Sequence, residues 1–268
     1  MKSPLYIALL LTILLPCHLL FAQAENHWGI TMGWSEAYVA DQHTSPLLYR
    51  SDLLAIGGSY QRQAKSFLEL SLLFQVGNHQ AQRLGKRSGT FNETPDLFGN
   101  QESYDFVVNP FLSRISGFFN SRILWELSDH SRLGASINIR YDMAGMSGDT
   151  WQYAQADLAP EYQYQRPLFA GQLQARFSLP IIGGIVRPNW AVDPSLPDET
   201  NYFKGYLRTG SSITSLHHLF NPRGQFSYQY PLPNGKTLGV AYHIAWLSYA
   251  LPRPLRMFEQ GLQLQYYW

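Results

Sequence analysis

Gly261-Leu262-Gln263-Leu264-Gln265-Tyr266-Tyr267-Trp268 ends the chain. Leu262, Leu264, Tyr266 and Trp268 fall on one face of an extended strand, and Gln263, Gln265 and Tyr267 on the other. A terminal alternating strand is usually an edge, and an exposed edge is a pairing hazard that only closure abolishes. The segment therefore points to a closed barrel, and the same two-residue period recurs upstream. Leu133, Ala135, Ile137, Ile139 and Tyr141 alternate with Gly134, Ser136, Asn138, Arg140 and Asp142. Phe169, Leu173, Ala175, Phe177 and Leu179 oppose Gln172, Gln174, Arg176 and Ser178, and Leu238 to Trp246 repeats the pattern. Trp28 to Tyr38, Leu53 to Arg62, Phe67 to Gly77, Phe111 to Leu127, Asp157 to Gln165 and Gln225 to Tyr230 complete the set. Glu36 breaks the first segment, sharing parity with Trp34, which implies a bulge or a strand end beyond a membrane.

The terminal segment resembles the assembly signal of Gram-negative outer-membrane proteins, with Leu262, Leu264, Tyr266 and Trp268 as its residues. That resemblance implies recognition by the barrel-assembly machinery and an outer-membrane location. The opposite end agrees. Lys2 gives a positive start, Leu5 to Phe21 an apolar run, and Ala22-Gln23-Ala24 a small-x-small site, so residues 1–24 read as a cleaved signal peptide. Residues 25–268 then form a single barrel domain. Cys17, the sole cysteine, lies in the removed part, and Pro16 precedes it where a lipoprotein signal wants a small residue. The mature chain has no disulfide and no thiolate metal ligand.

Composition limits the class. Charged residues are 15% of the chain and aromatics 15%, against a usual charged share of ~25%. No later stretch approaches the ~20 apolar residues of a membrane helix, so a crossing requires a closed barrel. Net charge is +1, with no clustered basic face for nucleic acid. A soluble all-β sandwich would share the alternation, but its outer face would be poorly solvated at so low a charge. Trp28, Tyr60, Trp125, Tyr162, Tyr164, Tyr228, Tyr230, Trp246, Tyr266 and Trp268 sit near strand ends, where membrane girdles belong.

Connection lengths give the topology. Short links occur at 63–66, 128–132, 165–167 and Pro233-Asn234-Gly235-Lys236, the last a strong hairpin signal. Long ones fall at 40–48, 78–105, 143–153, 183–222 and 250–257. The fold expected is all-β: a transmembrane antiparallel up-and-down barrel of about ten strands, both termini on the short-turn side. The 183–222 link is long for a structureless loop, and Tyr202 to Gly210 with Ile213 to Phe220 offers one more hairpin, making twelve strands the alternative.

The polar face assigns Glu69, Arg114, Arg122, Glu126, Arg140, Asp142, Asp157, Glu161 and Arg176 to the lumen. In so narrow a barrel they read either as a plug of Arg–carboxylate pairs or as the lining of a small pore. Chemistry belongs at the outer rim. His43-Thr44-Ser45 with Asp41 has the two-residue His-to-Ser spacing of outer-membrane phospholipase A, although Ser45 precedes Pro46. An omptin-like protease site would draw on Asp41, Asp52, Asp149, Asp193, Asp198, His217 and His218, without a matching acidic pair. His217-His218 has no third metal ligand nearby, and no metal or cofactor is expected. Arg83, Lys86 and Arg87 form a basic cluster suited to lipopolysaccharide phosphates or to solvent. Gly57-Gly58 and Gly183-Gly184 suggest bends or bulges. The function expected is a non-enzymatic barrel presenting loops to outer-membrane lipid or an envelope partner, ahead of a porin-like pore and a His/Ser surface hydrolase.

Overall fold

Alternating side chains make strands, and an apolar face without a partner layer forces those strands into a ring. The computed structural model describes residues 25–83, 87–94, 101–108, 111–146, 149–187 and 210–268. The strands are β1 (Glu25–Asp41), β2 (Leu48–Gln63), β3 (Ser66–Ala81), β4 (Arg87–Asn92), β5 (Ser103–Val108), β6 (Phe111–Ser128), β7 (Ser131–Met146) and β8 (Asp149–Leu168). They continue with β9 (Gly171–Ser178), β10 (Ile182–Val186), β11 (Ser211–Ser215), β12 (Leu219–Phe220), β13 (Arg223–Pro231), β14 (Thr237–Tyr249) and β15 (Leu255–Tyr267).

Ten strands, in the order β1-β2-β3-β6-β7-β8-β9-β13-β14-β15, each pair antiparallel with the next. The ring closes through β15 and β1, from Gly29↔Tyr267 to Asp41↔Leu255. Beyond that ladder the main chains of Trp28 and Trp268 exchange hydrogen bonds of 3.0 and 2.9 Å. The terminal segment thus closes the barrel, as its pattern requires. The seal lies at the end that carries the tight turns, called here the turn end. The opposite end is the loop end.

The wall is apolar outside and polar inside. On β1, Trp28, Ile30, Met32 and Trp34 are exposed, Met32 at 59%, whereas Thr31 and Ser35 are buried. Such a surface is hostile to water and suited to lipid, so the barrel is transmembrane. At the turn end Trp28 packs on Tyr60 at 4.9 Å and Tyr266 on Trp268 at 5.9 Å. Toward the loop end Tyr38 and Trp246 flank Phe258 at 6.4 and 6.2 Å. These are two aromatic belts, and Trp246 belongs to the second. Glu36 marks where the apolar band stops. Its carboxylate faces Arg50 at 2.7 Å and accepts from Tyr38 Oη at 2.7 Å and Gln260 Nε2 at 3.1 Å. Register is unbroken through Glu36 on both sides, so β1 has no bulge there and simply outruns the membrane. From Trp28 to Glu36 the strand covers ~27 Å, or roughly 20 Å of height at a ~40° tilt.

One irregularity of the wall has a local cause. Between Glu161↔Ser178 and Leu158↔Ile182, three residues of one stave (179–181) oppose two of the other (159–160). Pro160 sits in that interval without an N–H to donate, so the ladder bulges at residues 179–181. Register is continuous at Gly57-Gly58 and Gly183-Gly184 instead. β10 and β11 extend the β9 and β13 staves toward the loop end, which leaves ten staves rather than twelve. Residues 202–209 of the suggested extra hairpin lie outside the described residues, as do 1–24.

Asn234 and Gly235 turn at φ 68° and 73°, the positive values a tight hairpin needs. The 143–153 link is short, because β7 and β8 run on to Met146 and back from Asp149. Within the 78–105 link, β4 and β5 form their own two-stranded sheet.

Candidate functional site

Inward parity on the ten strands fills the lumen, and the fill has two layers. The layer nearer the turn end is ionic. Glu69 on β3 meets Arg176 on β9 at 3.2 Å and Arg122 on β6 at 3.8 Å. Arg122 reaches Glu161 on β8 at 3.0 Å, and Arg140 on β7 reaches Glu259 on β15 at 2.9 Å. β7 and β15 are the fifth and tenth staves, so Arg140–Glu259 spans the barrel. Arg114 holds Asp142 at 2.8 Å, with both side chains fully buried, and Arg223 pairs with Asp157. Gln75 Nε2 donates to Ser35 Oγ and Glu259 Oε1, each at 3.0 Å. A buried charge must find a partner, and at these distances each guanidinium does.

The second layer, nearer the loop end, is apolar. Val39, Ala144, Trp151, Tyr153, Ile185, Leu219, Leu247, Tyr249, Leu255 and Met257 form one buried cluster inside the wall. A ring stack runs into it, with Tyr49–His79 at 4.7 Å, His79–Trp151 at 5.9 Å and Trp151–Tyr153 at 6.4 Å. His79 Nδ1 lies 2.7 Å from Ser51 Oγ, which also accepts from Arg114 at 3.0 Å. A polar latch binds this cap to the rim. The Asp41 carboxylate accepts from Trp151 Nε1 at 2.8 Å, from the His43 main-chain N–H at 2.9 Å and from Arg187. Arg187 also donates to the carbonyls of Leu251 and Arg253, both at 2.7 Å.

Of the lumen residues expected from parity, Glu69, Arg114, Arg122, Arg140, Asp142, Asp157, Glu161 and Arg176 all point inward and join the ionic layer. Glu126 stands at the turn-end rim with its side chain 64% exposed, 3.6 Å from Arg132. Gln75, His243, Glu259, Arg187 and Arg223 also belong to the interior. Extending the alternation of the terminal strand backward from Gln263 would have placed Glu259 there.

Among the described residues the rim candidates do not assemble around a nucleophile. Ser45 Oγ accepts from Tyr49 Oη at 3.1 Å and from the Leu47 N–H at 3.2 Å. Asp41 serves the latch and caps the turn through the main chain of His43. Asp52 lies on the outer face beside Arg50 at 3.3 Å, on the opposite side of the wall from buried Asp41. His217 and His218 occupy a turn with their rings 5.8 Å apart. Among the described residues no group of three or more metal-ligating side chains forms. Asp193, Asp198 and Lys86 fall outside the described residues.

Between the cap and the turn end lies a cavity of about 230 Å³, lined by Gln75, Arg122, Arg140, Glu161, Arg176, Arg223, His243, Glu259, Phe118 and Tyr267 among others. The arrangement can therefore hold a small polar solute beneath the apolar cluster at the loop end.

No protein-family model matches the chain, and no curated protein sequence does. Solved structures similar to it include the outer membrane protease OmpT from Escherichia coli, at 9% identity and TM-score 0.43, covering 91% of this chain and 95% of that one. An outer membrane channel from Pseudomonas putida F1 is similar at 8% identity and TM-score 0.42, over 94% and 99% of the two chains. The translocator domain of autotransporter NalP from Neisseria meningitidis is similar at 9% identity and TM-score 0.40, over 98% and 94%.

Proposed function

We propose that the protein is an integral outer-membrane barrel, closed at rest, whose loop end faces outward and meets a partner of the cell envelope. The observation that carries this reading is the apolar cap. Trp151, Tyr153, Tyr249, Leu255 and Met257 obstruct the lumen at the loop end, and the pairs beneath them cross it. A lumen so filled serves stability and leaves the loop end as the working surface. There the β4–β5 hairpin carries Phe91, Tyr104 and Phe106 on one exposed face, and its other face is stitched by Thr90–Asp105 at 2.7 Å and Ser103–Asn92 at 2.8 Å. Isolated two-stranded hairpins are marginal in water, so this aromatic face suits a partner. The polar cluster of Glu36, Arg50 and Gln260 lies at the level suited to lipid headgroups. Barrel-assembly factors would read Leu262, Leu264, Tyr266 and Trp268.

The test has two arms. Purified protein in planar bilayers should show no steady conductance. Deleting residues 87–108 should leave a heat-modifiable barrel that no longer co-purifies the envelope proteins retained by the intact chain. Steady single-channel conductance in the unmodified protein would overturn the closed reading, and an unchanged set of co-purifying proteins would overturn the role of the hairpin.

A further inference from the structure

The cavity below the cap is more than space left over by the ion pairs. We infer that it is a binding chamber for an uncharged polyhydroxyl solute of monosaccharide size. At about 230 Å³ it has room for one small organic molecule rather than a chain. Charge selects against ions. Arg122, Arg140, Arg176 and Arg223 each already face a carboxylate, so an anion or a cation must displace a buried partner to bind.

The spare capacity is in neutral acceptors. Gln75 Oε1 and His243 Nδ1 are buried atoms without a hydrogen-bond partner, whereas the carboxylate oxygens Glu161 Oε1 and Glu259 Oε2, likewise without a hydrogen bond, each face an arginine at 3.0 and 2.9 Å. The Gln75 amide is oriented by its Nε2 donations to Ser35 and Glu259, which commits Oε1 to accept. His243 Nε2 faces Glu259 Oε1 at 3.6 Å. With the proton on Nε2, toward that carboxylate, Nδ1 is left as a second acceptor. Two acceptors call for O–H donors. The His243 ring fits only because β15 carries glycine opposite it. A Cβ on Gly261 would stand 2.4 Å from His243 Cε1.

The experiment is saturation-transfer NMR on the folded full barrel in detergent, with D-glucose as the probe and acetate and methylammonium as charged controls. Glucose should give a saturable signal and the two ions none. Gln75→Leu removes one acceptor. Ser71→Phe fills the chamber, and Ser71 makes none of the hydrogen bonds described above. Folded Gln75→Leu should bind glucose about two- to tenfold more weakly, and folded Ser71→Phe should lose the saturable signal. Absence of a saturable glucose signal with wild type, tighter binding of either ion, or undiminished binding in folded Ser71→Phe would each overturn the inference. If Gln75→Leu does not fold, Ser71→Phe decides. Conductance reads the cap and saturation transfer reads the chamber, so either can fail without the other.

Discussion

Arg187→Ala should unlatch the cap. The Arg187 and Asp41 side chains are only 3% and 7% exposed, so removing the guanidinium leaves a buried carboxylate without its countercharge. Losing one partner of a buried pair costs about 3–5 kcal/mol. Asp41 keeps the Trp151 Nε1–H and the His43 N–H, which pulls the figure toward ~3 kcal/mol. Two arginine bonds to the carbonyls of Leu251 and Arg253 are lost as well, at about 0.5–1.5 kcal/mol each. A total of about 4–6 kcal/mol shifts an equilibrium between capped and open forms by roughly three to four orders of magnitude. Urea unfolding in lipid should report the loss, and planar bilayers should show transient openings absent from wild type. Asp41→Asn combined with Arg187→Gln removes both charges and should recover most of the stability, a coupling that a double-mutant cycle measures. If Arg187→Ala unfolds within about 0.5 kcal/mol of wild type and stays electrically silent, the latch does not hold the cap.

Trp151→Ala removes the centre of the ring stack together with the Asp41 bond; it should cost about 3–5 kcal/mol and raise the frequency of bilayer openings. Met32→Lys puts a charge midway between Trp28 and Glu36 on the lipid face and should cost about 2–4 kcal/mol, whereas Thr31→Ser, one residue away and inward, should be close to neutral by the same unfolding assay. Gly261→Val drives a side chain into His243 Cε1 and the Trp34 carbonyl, 2.7 Å from an added Cβ; it should lower the yield of heat-modifiable barrel more than Gly184→Val, where an added Cβ meets nothing within 4 Å.

Period-two alternation carried the ring into the sequence because a wall between lipid and a polar lumen must alternate at every strand. Eight of the nine charged residues assigned inward by parity lie in the ionic layer for that reason. What parity could not reveal is the cap. Val39, Leu247, Leu255 and Met257 keep the inward phase yet are apolar, since beyond the membrane the wall no longer needs a polar interior. The overrun also hid the length of β7 and β8, whose tips occupy most of the supposed 143–153 loop. Gly89 and the charges around Thr90-Phe91 blurred the alternation of β4, so the hairpin read as loop. His43 and Ser45 have a local spacing that, with Asp41 beside them, suggested a hydrolase site, but only tertiary contacts show that Asp41 faces Trp151 and Arg187. The ten-versus-twelve question turned on β10 and β11, which pair as extensions of existing staves, a distinction that depends on long-range register.

The central claim is that the apolar face of every stave points outward into lipid. It is tested most directly by single cysteines, introduced into a chain whose only cysteine is Cys17, at Met32, Ile139 and Leu264 and at their neighbours Thr31, Asn138 and Gln265. Spin labels on them would be read in bilayers for collision with oxygen and with a water-soluble nickel chelate. The account predicts high oxygen and low nickel accessibility at the first three positions, and low oxygen accessibility at the other three. Lipid exposure at Thr31, Asn138 and Gln265, or loss of the alternation, would contradict it.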